Sequence, residues 1–344
     1  MFYRNCLRII AMSLAGLAVA SIGTTALAQD RPDPRVERAW PGIDWSTAIV
    51  PPSEIISGGV PRDGIPPVYT PSYEPIEAAD IPGSEPVIGL EINGEARAYP
   101  LRYMTAHEIV NDRLGGRAIA VTYCPLCNAA IVFDREFDGT THRFGVSGLL
   151  RKSDLIMWDH ESESLWQQFA GQAIAGPRAG DRLETIPSRL ESLEAFTARL
   201  PHGDVLAPPR RNFPYGNNPY VGYDALNSTP FLYRGDMPDG IAPMQRVVVV
   251  GQTAWSLGQV REAGEITEGD IRLRAAGLQN SALDTRRIAE GRDVASVIVE
   301  RRDATGEWKD AAHHVTFAFV FHAFQPDGTW RFGPNAQMPP DHAD

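Results

Sequence analysis

Two cysteines stand together as Cys124-Pro125-Leu126-Cys127, a spacing that serves two chemistries. In a dithiol redox centre the sulfurs close to about 2 Å, and a proline between them stiffens the turn. In a metal site the two thiolates share one soft ion, Cu(I) or Zn(II). A structural staple is a poor use of the pair, because so short a loop constrains the unfolded chain little. A thioredoxin-like centre opens a long helix at the first cysteine, whereas Ala129-Ala130-Ile131-Val132-Phe133 reads as strand. A metal needs more ligands than two sulfurs. His107 leads the candidates, and Glu108 beside it can serve as an acid–base group or orient the ligands. His160 lies near the soft thioether of Met157 and the carboxylate of Asp159. Asn111 follows His107 by four residues, which on a helix is the same face. Ser147-Gly148 and Ser153-Asp154 read as turn chemistry, and Trp158 and Trp166 as core. His142, His202, His313, His314 and His322 read as structural.

Positioning these residues falls to the elements around them. Residues 87–92 alternate apolar and polar, Asn93-Gly94 marks a two-residue hairpin, and residues 96–101 return. A short helix is expected over residues 103–111, ended by Gly115-Gly116. Residues 118–123 form a β-type run into the cysteines, and residues 129–133 form the next. Asp138-Gly139 turns the chain, and residues 142–146 return. Short strands over 153–175 surround a turn at 161–163. Leu190, Leu193, Phe196 and Leu200 have helical spacing, which predicts one amphipathic helix over 187–200. Residues 207–240 are loop-like. Further strands are expected at 246–250, 294–301 and 315–321. The fold class is therefore α+β, mainly antiparallel sheet with a few short helices, in two β-rich units. Residues 87–135 are echoed in 247–301, as a degenerate repeat would be. The expected divisions are a signal peptide at 1–28, a proline-rich extended lead at 29–85, a core with the cysteine site at 86–240, and a second β-rich unit at 241–344.

The signal peptide has Arg4 and Arg8, an apolar run over residues 9–20, and Ala26-Leu27-Ala28 before Gln29. Cleavage of the 344-residue chain after residue 28 leaves 316 residues and removes Cys6. It also removes two arginines and no acid, so the net charge moves from −11 to −13. The expected location is the periplasm or the exterior, where neighbouring thiols tend to pair. So acidic a chain has no electrostatic case for nucleic acid or an anionic membrane surface. No later stretch is long and apolar enough to span a bilayer. The 28 prolines and 31 glycines favour loops and strands over helices.

Several longer motifs occur in order. They are Ser57-Gly58-Gly59-Val60-Pro61-Arg62-Asp63-Gly64-Ile65-Pro66, Ala98-Tyr99-Pro100-Leu101, His107-Glu108-Ile109-Val110-Asn111-Asp112, Val121-Thr122-Tyr123-Cys124-Pro125-Leu126-Cys127, Phe144-Gly145-Val146-Ser147-Gly148-Leu149-Leu150 and Ser153-Asp154-Leu155. Over residues 57–233 the chain resembles the DUF3179 family, which is prokaryotic and has no established function. The resemblance implies a domain and no particular reaction. In the family pattern the histidine–glutamate pair and the first cysteine are prominent, and some members replace the second cysteine. It thus implies a centre of Cys124 with His107, metallated or nucleophilic. Residues 315–333 are similar to the family's aromatic ending, from which His322 departs.

Three functions stay open. The first is an exported protein that binds copper, before zinc, through Cys124, Cys127 and His107, with Glu108 as acid–base group, in a redox or metal-handling role. The second is thiol–disulfide exchange, with Cys124 attacking and Cys127 resolving. The third is a non-enzymatic periplasmic binding or structural module. The partner is an unidentified small molecule or redox partner, and nothing indicates a nucleotide cofactor.

Overall fold

The computed structural model describes residues 30–332; the expected signal peptide, with Cys6, lies outside them. The described chain forms five sheets of four or five strands and one small two-stranded hairpin. Pairing is mostly antiparallel and the helices are short. The arrangement resembles a five-bladed β-propeller. Two β-rich units were the expectation; five sheets are the finding. Among the described residues no helix is long and apolar enough to cross a membrane.

Four of the five larger sheets are built on local hairpins and finished by distant chain. The cysteine sheet has Ile109–Leu114, Arg117–Cys124 and Ala129–Asp134 in sequence order, with Thr185–Ile186 added at the edge. Its neighbour in the chain runs Phe144–Arg151, Asp154–Asp159, Leu165–Gln167 and Gln172–Ala175. The lead segment adds Ile55–Ser57 to that sheet, antiparallel to Phe144–Arg151. It then laces onward: the Asp63 N–H donates to the Val146 carbonyl, and the Val68 N–H to the Ile109 carbonyl, both at 2.8 Å. Two further distant additions are parallel, Asp204–Leu206 beside Glu95–Pro100 and Thr329–Arg331 beside Thr253–Ser256. One hydrophobic cluster holds Val121 and Leu190 together with Val248, Leu273 and Val299. Residues on both sides of position 240 therefore share a core.

Several expected elements are corrected. The helix at 103–111 is Leu101–His107, and Ile109–Leu114 is strand. Asn111 is therefore off the helix. Its side chain makes a reciprocal pair with Phe144, donating to the carbonyl at 2.8 Å and accepting from the N–H at 2.7 Å. The helix at 187–200 is shorter, Leu193–Arg199, because Arg189–Ser192 pairs with Pro86–Ile92. Residues 315–321 divide between the strand His314–Phe317 and the helix Ala318–Phe324. In each case a strand leads directly into a seven-residue helix, under two full turns, too short to show a period.

Candidate functional site

The strand Arg117–Cys124 delivers Cys124 in extended conformation. Pro125–Cys127 is then a single tight helical turn with proline at its start, where a missing N–H costs nothing. Asn128 follows at φ 50° in the left-handed region, reverses the chain, and starts the strand Ala129–Asp134. The turn therefore closes a hairpin and opens no helix. Three distant groups fix it. Tyr223 donates its hydroxyl to the Leu126 carbonyl at 3.0 Å, and Thr316 donates to the Cys127 carbonyl at 2.7 Å. Asn128 donates from Nδ2 to the Val315 carbonyl at 3.0 Å.

The group that meets the thiols is Asp154. Its carboxylate and the Sγ atoms of Cys124 and Cys127 all lie within 4.8 Å of one another, and all three residues are buried. Both thiols also face the Ser153 carbonyl, at 3.9 Å from Cys124 and 3.6 Å from Cys127. Asp154 is placed by a two-residue hairpin turn, Lys152-Ser153, with both residues at positive φ (55° and 66°). Such turns favour Asn-Gly. Here side chains hold it instead: Ser153 donates to the Phe231 carbonyl at 2.5 Å, and Lys152 to the Ala323 carbonyl at 2.6 Å. Asp154 Oδ2 accepts from Gln167 Nε2 at 2.7 Å and the Phe169 N–H at 2.9 Å. Oδ1 is buried with no partner other than the two thiols it faces. Burial pushes the carboxyl up to about 6, and those donors pull against it. Burial likewise raises both thiols, Cys127 well above its ordinary value. Without a cation nearby, both sulfurs are held as thiols at neutral pH.

Glu108 completes the constellation. It follows the helix Leu101–His107 at φ 59°, ψ −32°, with its N–H on the Met104 carbonyl at 2.8 Å. The Tyr123 N–H donates back to the Glu108 carbonyl at 2.8 Å, which ties this residue to the cysteine strand. Its side chain is buried. Burial, and after it the charge of Asp154, pushes its carboxyl up to about 8. Glu108 and Cys124 both line a cavity of about 600 Å³. The cavity is walled by residues of the lead segment (Gly58, Val60, Ile65) and of the loop that follows the strand Asp204–Leu206 (Pro219, Tyr220, Tyr223, Phe231). Gly148, at φ 76°, lines it too; a Cβ there would lie 2.2 Å from the Val60 carbonyl oxygen. Only glycine lets the lead segment close against this wall.

His107 was the expected third ligand, but its ring nitrogens face elsewhere. Nδ1 lies 2.6 Å from the Pro66 carbonyl and Nε2 lies 2.6 Å from the Tyr215 hydroxyl. Carbonyls only accept, so Nδ1 carries the proton and Nε2 accepts from tyrosine. Burial lowers the pKa of the ring, which favours this neutral form. His107 thus pins the lead segment to the 207–240 loop, and Asp154 stands where the third ligand was expected. His160 pairs with Tyr69 at 2.7 Å and stacks near Trp158. Met157 is core.

A second group, His142, Asp159 and Glu161, also brings three ligand atoms within 4.8 Å. Its carboxylates already accept hydrogen bonds, while His142 Nε2 is buried without a partner. Asp159 accepts from His142, Ser162 and Trp166, and Glu161 accepts from the backbone and side chain of Arg143. Its hydrogen bonds brace the turn at residues 159–162. Asp154 is the residue beside the thiols that sequence reasoning missed. Its signal was Ser153-Asp154-Leu155 itself, which reads locally as a turn; only the hairpin shows that the turn reaches the thiols.

A family model described as "Protein of unknown function (DUF3179)" matches residues 62–328. No curated protein and no solved structure matches the chain.

Proposed function

This chain belongs to the DUF3179 family, and on that premise we propose that Cys124, Cys127 and Asp154 hold one transition-metal ion, in an exported protein with a redox or metal-handling role. One observation carries the reading. Two hairpins bring three ligand atoms within 4.8 Å, and Oδ1 of the buried Asp154 has no partner besides the two thiols. A buried, unpaired carboxylate oxygen is costly, and a cation offsets that cost. Binding would release the thiol protons, because the thiolate is the ligand. Two thiolates with one carboxylate suit Zn(II), whereas Cu(I) prefers sulfur alone. Zinc therefore moves ahead of copper. Glu108, on the same cavity wall as Cys124, is the group that holds or moves a proton beside the ion.

The test is metal analysis of protein made in copper- and zinc-supplied cells. One equivalent per chain is expected, lost in Cys124→Ser and in Asp154→Asn. No metal under any loading overturns the reading.

A second reading is favoured by the different placement of the thiols: Cys124 lines the cavity and Cys127 does not. In thiol–disulfide exchange Cys124 attacks a substrate disulfide, its proton passes to the leaving sulfur, and one substrate thiol is released. Cys127 then gives its proton to Asp154 and displaces the second thiolate. The substrate gains two electrons, and Cys124–Cys127 becomes the disulfide, to be reduced by an external thiol. A Cys127→Ser protein with full insulin-reductase activity rules this out.

A further inference from the structure

A second cavity, of about 470 Å³, backs onto the thiol cavity: Ile65, Pro219 and Tyr220 line both. Its wall carries two guanidinium groups, Arg102 and Arg210, and among the described residues no carboxylate lines it. Arg102 is matched by Glu85, which accepts from Nε at 2.8 Å and from Nη2 at 2.7 Å. Arg210 lies 5.1 Å from the centre of the Phe213 ring, and no carboxylate among the described residues pairs with it. One positive charge is therefore left over, on a chain whose net charge is −11. Arginine keeps its proton at any pH at which a protein is folded, so this charge depends on no titration. The residue that bears it is anchored. The Tyr215 hydroxyl accepts from the Arg210 N–H at 3.1 Å and bonds to His107 Nε2 at 2.6 Å.

The other polar groups of the wall are neutral. Thr105 donates to the Arg102 carbonyl at 3.4 Å, and Asn218 donates to the Thr285 carbonyl at 3.0 Å. Asn217 and Tyr220 add an amide and a phenol. Rings make up most of the remainder: Phe213, Tyr215, Tyr220 and three prolines. The Phe213 and Tyr215 rings lie 4.7 Å apart, and Phe213 is left 37% exposed. An open aromatic face beside an unmatched guanidinium suits a ligand with one flat apolar end and one anionic end. One spare charge balances a carboxylate better than a phosphate, which carries nearly two.

We infer that this cavity binds a small organic monocarboxylate with a flat apolar body, its carboxylate on Arg210 and its body against Phe213 and Tyr215. The site is separate from the thiols, and neither reading of their chemistry is needed for it.

Calorimetric titration of the full chain with benzoate and 2-naphthoate at pH 7 tests this. One equivalent should bind per chain, 2-naphthoate at least threefold tighter than benzoate. Benzamide, which lacks the charge, should bind at least tenfold more weakly than benzoate. Arg210→Gln should weaken benzoate at least tenfold. Arg234→Gln, in the same loop but outside this cavity, should leave benzoate binding unchanged. No binding of either carboxylate overturns the assignment, as does benzamide binding equal to that of benzoate. Equal loss in both arginine variants shows a response to the charge of the loop at large and overturns it too. Inorganic phosphate bound as tightly as benzoate overturns the ligand class. Chelator-treated protein should bind benzoate as the untreated protein does; binding lost on that treatment belongs to a metal at the thiols and not to this cavity.

Discussion

Glu108 and Gly264 occupy the same backbone position in two matching stretches of chain. Each follows a seven-residue helix, Leu101–His107 and Leu257–Ala263, that leads from one hairpin to the next. The angles agree closely, φ 59°, ψ −32° for Glu108 and φ 74°, ψ −46° for Gly264. Glycine is at ease there, and a residue with a Cβ is not. The strained member of the pair is the one whose side chain lines the cavity, which is where strain tends to be kept.

Glu108→Gly should therefore stabilise the protein, by about 1–2 kcal/mol after the entropic cost of glycine. The reciprocal change, Gly264→Ala, should cost about 1 kcal/mol. Denaturant midpoints of both variants measure this. A midpoint for Glu108→Gly at or below that of the parent removes the strain argument.

Stability should also depend on pH through Glu108. Its carboxyl titrates near 8 in the fold, well above its ordinary 4.5. Between those values the folded state keeps a proton that the unfolded chain has released. Its contribution is full below the ordinary carboxylate range and is lost as pH rises through about 8. For chelator-treated protein, the urea midpoint should fall from pH 5 to pH 8. Glu108→Gln should flatten that fall; an unchanged slope shows that the carboxyl does not titrate there.

His107→Ala separates a pin from a ligand. Loss of its bonds to Pro66 and Tyr215 should cost about 1–3 kcal/mol. It should also let iodoacetamide reach Cys124 severalfold faster, since both cavity walls loosen. Metal stoichiometry should stay at that of the parent protein. If the metal is lost in this variant while the fold is kept, His107 is a ligand after all.

Asp112 is a brace of a different kind. It accepts from the hydroxyls of Tyr73 and Tyr99 and pairs with Arg97 at 2.8 Å, with both charged side chains more than nine-tenths buried. Asp112→Ala strands the arginine charge and should cost about 3–5 kcal/mol. Asp112→Leu combined with Arg97→Met should recover much of that loss in thermal unfolding. A loss below 1 kcal/mol in the single variant would falsify this account.

The local part of the fold was legible in the sequence. Asn93-Gly94 turns a hairpin with both residues at positive φ, and the β-branched runs before and after the cysteines are strands. What could not be read was what distance decides. Thr185–Ile186 and Ile55–Ser57 complete sheets whose other strands lie far off in the chain, so five sheets look like two. The spacing predicts one helix over 103–111 that carries His107, Glu108 and Asn111, with Asp112 next in the motif. It divides into a pin, a cavity carboxyl, a strand clamp and an ion-pair brace, because the backbone turns over at Glu108. The cysteine pair was visible; its carboxylate partner, 27 residues beyond Cys127, was not.

The bond from Thr316 to the Cys127 carbonyl spans 189 residues. A ribosome adding about 5–20 residues per second makes Cys127 roughly 10–40 s before it makes Thr316. In that interval the cysteine turn exists without its Thr316 anchor. Once that bond is made, the cavity that Cys124 lines is the route by which a small molecule would reach its sulfur.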